Sequence, residues 1–358
     1  MSVIRPIARL ISPLVNPVVF DFWAAHFTPA LSWERPLAKV VAREVVARDT
    51  VTLILRPNRH VQQGLPGQHV NVTAAVEGVR LTRSYSPDWS SRRRLALTIK
   101  RVPEGRMSSW LTQRCRVGDV LEIGPAFGDM TPPDPAQPWL FLAAGSGITP
   151  LISLLRHAAE QRASTAPITL LYWARTRADL CFLNELGRLH ERLPGFRLHT
   201  ILTREASLLP HERAGRPDAA LLAELVPALD GQLAYACGPA GFVGAVREGL
   251  AGKVASFSAE AFTPPALSPV TESQPVRVTL ARSGRELTIP AGMALLPALE
   301  AAGERPAYGC RMGICNTCAC GKLAGSTEDL LGGGINPEPV AALRLCVSRA
   351  RGDISLDL

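Results

Sequence analysis

Cys310, Cys315 and Cys318 stand in a C-x4-C-x2-C arrangement, and Cys346 follows in Leu-Cys-Val. Four thiolates at this spacing hold a two-iron, two-sulfur cluster. Ligands crowded this closely need small neighbours, and Gly309 and Gly313 let backbone N–H groups turn toward sulfur, which helps set a reduction potential. Zinc is the alternative, although structural zinc sites more often pair two C-x2-C halves. Cys320 lies outside the pattern and reads as a structural thiol.

Other stretches carry residue types suited to binding phosphates and aromatic rings. Arg83-Ser84-Tyr85-Ser86 offers a cation, a stacking ring and two hydroxyls at strand spacing. Gly105-Arg106-Met107-Ser108-Ser109 reads as a loop entering a helix, whose free N–H groups welcome a pyrophosphate. Gly145-Ser146-Gly147-Ile148-Thr149-Pro150 follows an apolar strand and opens a helix, as in a dinucleotide-binding turn, with Pro150 where a third glycine is usual. Cys237-Gly238-Pro239 ends another strand, at the sheet edge where open α/β folds bind ligands, although a buried cysteine is also a small hydrophobe. Arg175, Arg177 and Arg204 follow strands and could pair an adenosine 2′-phosphate, or simply be solvated loop charges. Glu260 and Phe262 close this region, and His69, His157 and His199 read as surface or packing residues.

The elements that must position these residues divide the chain. Residues 36–132 carry about six short alternating strands, suited to a small antiparallel β-barrel. After the stiff Pro132-Pro133-Asp134-Pro135, residues 133–263 alternate strands with helices, including one expected over Ala178–Arg192, and predict an α/β parallel sheet. Residues 264–274 form a Pro/Ser-rich linker, and residues 275–358 make a compact α+β domain around the cysteine loop. Residues 1–35 stand apart as an arm bearing Arg5 and Arg9, then Phe20, Phe22, Trp23 and Phe27.

With 358 residues, 47% hydrophobic and 20% charged, the chain reads as multidomain and globular. Cys115, Cys181 and Cys237 are scattered, which fits a reducing cytoplasm rather than a disulfide framework. The net charge of +8 suits an acidic partner or membrane surface, but no dense basic run interleaved with aromatics points to nucleic acid, and Arg92-Arg93-Arg94 reads as a hairpin tip. The arm is too broken by prolines and polar residues for a transmembrane span. It either packs on the body or makes a peripheral membrane contact, at the inner face, with aromatics at the interface.

Taken in order, Arg83-Ser84-Tyr85-Ser86, Gly105 to Leu111, Gly145 to Pro150, Cys237-Gly238-Pro239 and Glu260-Ala261-Phe262 resemble the ferredoxin–NADP reductase superfamily. The cysteine loop adds a C-terminal plant-type ferredoxin domain, expected to be a β-grasp, as in the fused reductases of oxygenases and desaturases. The resemblance implies that Arg83, Ser84, Tyr85 and Ser86 hold a flavin, and that Gly105, Met107, Ser108 and Ser109 cradle the FAD pyrophosphate. It places Gly145, Gly147, Thr149 and Pro150 along a nicotinamide dinucleotide, with Arg175 neutral and Arg204 favouring NADPH, NADH remaining possible. Cys237, Gly238, Pro239 and Phe262 would border the nicotinamide, with Cys237, Glu260 and Ser86 as catalytic residues. Cys310, Cys315, Cys318 and Cys346 would ligate the cluster, with Arg311 and Met312 facing the acceptor. That acceptor is implied to be an iron-dependent desaturase, foremost a membrane fatty-acid or acyl-CoA desaturase. A soluble oxygenase or a cytochrome P450 is the alternative, and a redox-sensing module without significant turnover is a second one.

Overall fold

The computed structural model describes residues 16–91, 93–161, 166–263, 274–331 and 333–358. Arg5, Arg9 and nearly all of the expected linker therefore lie outside the described residues. Helix α1 (Pro17–Phe27) starts where the Asn16 side chain accepts from Val18 N–H and Pro17 fixes the first turn. Among the described residues, its ties to the body come from one side. The Asp21 carboxylate accepts from Ser32 Oγ and Trp33 N–H, both at 2.7 Å, and the Phe20 and Trp33 rings meet edge to face at 5.2 Å.

Seven strands follow: β1 (Leu37–Ala47), β2 (Thr50–Pro57), β3 (His69–Val76), β4 (Val79–Tyr85), β5 (Pro87–Ser91), β6 (Arg94–Lys100) and β7 (Val120–Phe127), with helix α2 (Arg106–Gln113) before the last. They form one antiparallel sheet in the order β4-β3-β7-β1-β2-β6-β5. The two outer strands are joined by the single residue Ser86, which brings the two edges of the sheet together at that corner, although no ladder pairs β4 with β5 among the described residues. Alternation decides what fills it: Val40, Leu53, Leu55, Val70, Val72, Leu95, Leu97, Leu121 and Ile123 are wholly buried. Each contributes about 1.5–3 kcal/mol by burial. Strand β5 is additional to the six expected strands, and it pairs with β6 in the hairpin expected around Arg93.

The second unit is a parallel sheet of β8 (Trp139–Ala144), β9 (Ile168–Ala174), β10 (Phe196–Leu202), β11 (Glu212–Ala214), β12 (Leu233–Gly238) and β13 (Ser256–Ala261), ordered β11-β10-β9-β8-β12-β13. Every residue of β9 is buried, as befits a sheet covered on both faces. Helices α3 (Ile148–Gln161) and α4 (Leu183–Arg192) cover one face, while α5 (Ala219–Leu225) and α6 (Ala240–Leu250) cover the other. The helix expected over Ala178–Arg192 begins late. The Asp179 carboxylate accepts from Thr176 N–H and Oγ, closing a single 3-10 turn, and Phe182 turns left-handed at φ 64° before α4 starts.

In the third unit β14 (Val276–Leu280), β15 (Arg285–Ile289), β16 (Ala319–Ala324), β19 (Val340–Arg344) and β21 (Ile354–Leu356) form a mixed sheet ordered β15-β14-β21-β16-β19. Helix α7 (Leu295–Ala301) packs across it through Leu295, Leu296 and Leu299. A small sheet of β17 (Thr327–Asp329), β18 (Ile335–Asn336) and β20 (Ser348–Ala350) stands beside it. Among the described residues, no helix is long and apolar enough to cross a membrane.

Candidate active site and metal centre

Strand order puts the chemistry where the sequence motifs end. In the parallel sheet β8 has β9 on one side and β12 on the other, so the strand order reverses between β8 and β12, where open α/β sheets bind ligands. Gly145–Gly147 turns immediately after β8, and Cys237 and Gly238 finish β12. The two come into contact. A Cβ on Gly147 would lie 2.0 Å from the Cys237 carbonyl oxygen, and one on Gly238 would lie 2.9 Å from both Ala144 Cβ and the Phe242 ring. Gly145 is left-handed at φ 56°, and its carbonyl accepts from Tyr172 Oη at 3.2 Å. Thr149 Oγ donates to Ser146 O, Pro150 is buried in the first turn of α3, and Pro239 caps α6. Bare backbone therefore lines this crevice, as a dinucleotide pyrophosphate requires.

At the barrel edge, Arg83 and Tyr85 share the face of Val72 and Val70, their cross-strand partners. Arg83 donates to the Thr82 carbonyl, and no carboxylate among the described residues pairs with it. Burial pushes the Tyr85 hydroxyl well above its ordinary pKa, with Arg83 opposing. Ser84 points elsewhere: its hydroxyl donates to Asn71 Oδ1 at 2.7 Å and ties β4 to β3. Helix α2 begins at Gly105 without a side-chain cap, leaving its first N–H groups for an anion. Ser108 Oγ accepts from Val102 N–H and donates to Gly105 O, which shapes that turn around buried Met107, and Ser109 N–H closes on the same carbonyl. An unpaired guanidinium, a ring and an uncapped helix start fit a flavin dinucleotide.

Sequence reasoning missed His69. It is 2% exposed, on the first residue of β3, and its Nε2 lies 3.1 Å from Ser86 Oγ and 3.2 Å from Glu260 Oε2. Phe127 stacks on the ring and Phe262 meets its edge. Burial holds the imidazole neutral, lowering its pKa to about 4, and holds Glu260 protonated, raising its pKa to about 8 with help from nearby Asp129. The close approach is thus one between neutral groups rather than an ion pair, and Glu260 Oε2 makes no hydrogen bond among the described residues. Cys237 is wholly buried beside them, its thiol donating to Met130 Sδ at 3.3 Å, and burial raises its pKa well above the ordinary value.

In the third unit the sulfurs stand in two pairs, Cys310 with Cys315 and Cys318 with Cys346. Backbone N–H groups converge on them: Met312 N–H on Cys310 Sγ at 3.3 Å, Gly313 N–H on Cys346 Sγ at 3.2 Å, Cys310 N–H on Cys315 Sγ at 3.2 Å. A Cβ on Gly309 would lie 2.7 Å from Cys315 Sγ. Two thiolate pairs with amide donors around them fit the two irons of a 2Fe–2S cluster. Arg311 does not face outward freely as expected. It is paired with Glu300 at 2.8 Å and lies over the Tyr308 ring at 3.9 Å, fastening the loop to α7.

Of the three arginines, Arg177 is engaged by Glu212 and Glu205, whereas Arg175 and Arg204 are exposed with no carboxylate partner among the described residues. The backbone joins those two, Arg204 N–H donating to Arg175 O. A cavity of about 800 Å³ lies elsewhere, between the outer face of β2 and β6 and helix α4, and contains none of the expected site residues. Arg156 bridges across it from α3, to Asp88 at 2.8 Å and Glu185 at 2.6 Å.

Three family profiles match in this order: an oxidoreductase FAD-binding domain over residues 37–131, an oxidoreductase NAD-binding domain over 141–248, and a 2Fe-2S iron-sulfur cluster binding domain over 278–351. An NADPH oxidoreductase of Mycobacterium tuberculosis is 31% identical, over 98% of this chain and 91% of its own length. The chain belongs to the ferredoxin–NADP reductase superfamily, fused to its own 2Fe–2S domain. The reductase is also similar to the glycine betaine monooxygenase reductase subunit of Pseudomonas aeruginosa, 30% identical over 82% of this chain and 86% of that one. Among solved structures it resembles phthalate dioxygenase reductase, at a TM-score of 0.56 and 25% identity over 90% of this chain and 97% of that one. It resembles the Amycolatopsis cytochrome P450 reductase at a TM-score of 0.58 and 29% identity, over 64% and 70%. It is therefore an NAD(P)H-dependent oxidoreductase with FAD and 2Fe–2S domains, a reductase of the kind that serves oxygenase and P450 partners.

Proposed function

We propose that the reductase prefers NADPH and delivers its electrons to an iron-dependent desaturase or oxygenase at a membrane surface, against which its N-terminal arm docks. The observation that carries this reading is the outer face of α1. Val18, Phe22 and Trp23 are 77%, 60% and 61% exposed, while Phe20, Asp21 and buried Ala24 hold the helix to the body from the other side, and Phe27 is 85% exposed at the helix end. An aromatic face fixed outward, preceded in sequence by Arg5 and Arg9 on a chain of net charge +8, suits the interface of an anionic bilayer. The mycobacterial relative, named an NADPH oxidoreductase, supports the preference for NADPH. A membrane desaturase is the acceptor that fits best. A soluble oxygenase or a P450 is the second reading, favoured by the names of the monooxygenase reductase subunit and the P450 reductase among its relatives.

Bound flavin supplies the conversion between a two-electron donor and a one-electron cluster. The rest is placement. Arg83, Tyr85, Ser86 and the start of α2 seat the flavin. Gly145, Gly147, Thr149 and Pro150 leave room for the nicotinamide pyrophosphate, and Cys237 with Gly238 border its reactive end. Arg204, with Arg175 beside it, meets the 2′-phosphate of NADPH. Cys310, Cys315, Cys318 and Cys346 hold the cluster as the exit. Intact binding surfaces at every stage argue against a sensor without turnover. The test is reduction of ferricyanide with NADPH and NADH by the loaded protein, then of isolated membrane and soluble acceptors, with and without residues 1–35. Turnover with soluble acceptors alone, unchanged by removing the arm, would overturn the membrane reading.

A further inference from the structure

We propose that Arg344 is a positioning residue for the cluster, and that through one peptide of the cysteine loop it raises the cluster's reduction potential. This rests on the four-cysteine ligand set given above. Arg344 is the last residue of β19, paired with Ala319 on β16, and it opens the short turn Leu345–Val347 that carries Cys346. Its main chain is therefore fixed in the sheet, and its side chain reaches across to the loop.

That reach ends on Gly313. Arg344 Nη1–H donates to the Gly313 carbonyl at 2.7 Å. The carbonyl shares a peptide with Ile314 N–H, which donates to Cys310 Sγ at 3.4 Å. The N–H of Gly313 itself donates to Cys346 Sγ at 3.2 Å. One glycine thus serves both sulfur pairs, through the peptide bond on each side of it. A guanidinium on the carbonyl polarises its peptide and strengthens the N–H···S bond at the far end, because hydrogen bonds in series reinforce one another. The chain has no slack here. Gly313 is left-handed at φ 76°, and a Cβ on it would lie 2.8 Å from the Val347 side chain and 3.1 Å from that of Leu331.

Charge and hydrogen bonding act with the same sign. Reduction adds one negative charge to the cluster, so a cation close by and stronger donors to sulfur both favour the reduced form. How much of a cation is felt depends on its carboxylate partner. Arg311 is bound to Glu300 at 2.8 Å, which offsets most of its charge. Arg344 meets Asp329 only at 3.5 Å, through its other terminal nitrogen. Asp329 is kept at that distance by Leu331 N–H, which donates to its second oxygen at 2.8 Å. Arg344 and Asp329 therefore pull the cluster in opposite directions, the cation tightening its hold on an electron and the carboxylate loosening it.

The experiment is a mediated redox titration of the flavin- and cluster-loaded full chain, read by low-temperature electron paramagnetic resonance of the reduced cluster. Native protein, Arg344→Gln and Asp329→Asn are compared. Arg344→Gln should weaken the cluster's hold on its electron about ten-fold, a fall of about 59 mV for a one-electron couple. Asp329→Asn keeps the shape of the side chain and removes its charge, so it should strengthen that hold about three-fold. A purely structural role for the pair would loosen the loop in both variants and would not move the potential in opposite directions. A potential within about two-fold of native in Arg344→Gln, or shifts of the same sign in the two variants, would overturn the proposal. Should Arg344→Gln fail to assemble a cluster, Asp329→Asn decides, and an unchanged or lowered potential there overturns it. Native protein that gives no reduced-cluster signal would instead break the ligand set, and this inference with it.

Discussion

At the scale of single residues, the most sensitive positions are those where an added atom meets backbone. A Cβ on Gly147 would sit 2.0 Å from the Cys237 carbonyl, so Gly147→Ala must push β8 and β12 apart at the point where the nicotinamide binds. The expected cost is about 1–3 kcal/mol of stability, read as a lowered Tm, with a larger loss of NADPH-dependent flavin bleaching. Arg204 makes a different kind of claim, about preference rather than stability. A charge-assisted bond to the 2′-phosphate is worth about 1.5–3 kcal/mol, so Arg204→Gln should cut kcat/KM for NADPH by about 10- to 100-fold and leave that for NADH nearly unchanged. Equal losses with both nucleotides would remove Arg204 from the phosphate site. Cys346→Ser should abolish the iron–sulfur absorption while flavin bands persist, because the barrel core and the cluster loop share no residues.

At the scale of elements, the joint between barrel and nucleotide domain hangs on α3. Arg156 reaches from that helix to Asp88 on β5 and Glu185 on α4, and its side chain is only 24% exposed. Arg156→Ala would leave two carboxylates facing each other in a half-buried cleft, and removing one partner of such a network costs about 2 kcal/mol or more. Arg156→Lys should recover little, since one ammonium cannot bond both carboxylates in the planar fashion of a guanidinium. The comparison of thermal midpoints checks it. This joint was invisible in the sequence because its members are joined only by folding. The cysteine loop, the Gly-rich turn and the alternating barrel strands were legible because their chemistry is local, one ligand or one glycine a few residues from the next. The helix expected from Ala178 failed on local competition, where Asp179 bonds Thr176 and the chain turns at Phe182. His69 is buried and packed, within the surface-or-packing reading, and its approach to Glu260 was not legible because it joins the first residue of β3 to the end of β13. Arg177, which the sequence leaves as a phosphate ligand or a solvated loop charge, is instead held by Glu212 through a contact that only folding makes.

At the scale of the whole molecule, the remaining question is where the electron path is held while it works. Each unit has its own core, and among the described residues Phe22 and Trp23 stand exposed on α1, away from the contacts that fix that helix to the body. If that face enters a bilayer interface, Phe22 and Trp23 contribute most, at about 1.5–3 kcal/mol each when buried. Phe22→Ser with Trp23→Ser should therefore weaken binding to vesicles rich in anionic lipid by more than about 100-fold in flotation. The basic contribution adds to this and is screened, so native binding should fall as salt shortens the Debye length from about 10 Å at 0.1 M to about 3 Å at 1 M. Binding through the aromatics alone would resist that change. Ferricyanide reduction should be the same in the double variant, because no residue of α1 lines a cofactor seat. Vesicle binding that survives the double substitution would move the membrane contact away from α1, and turnover with a membrane acceptor that survives it would detach electron delivery from anchoring.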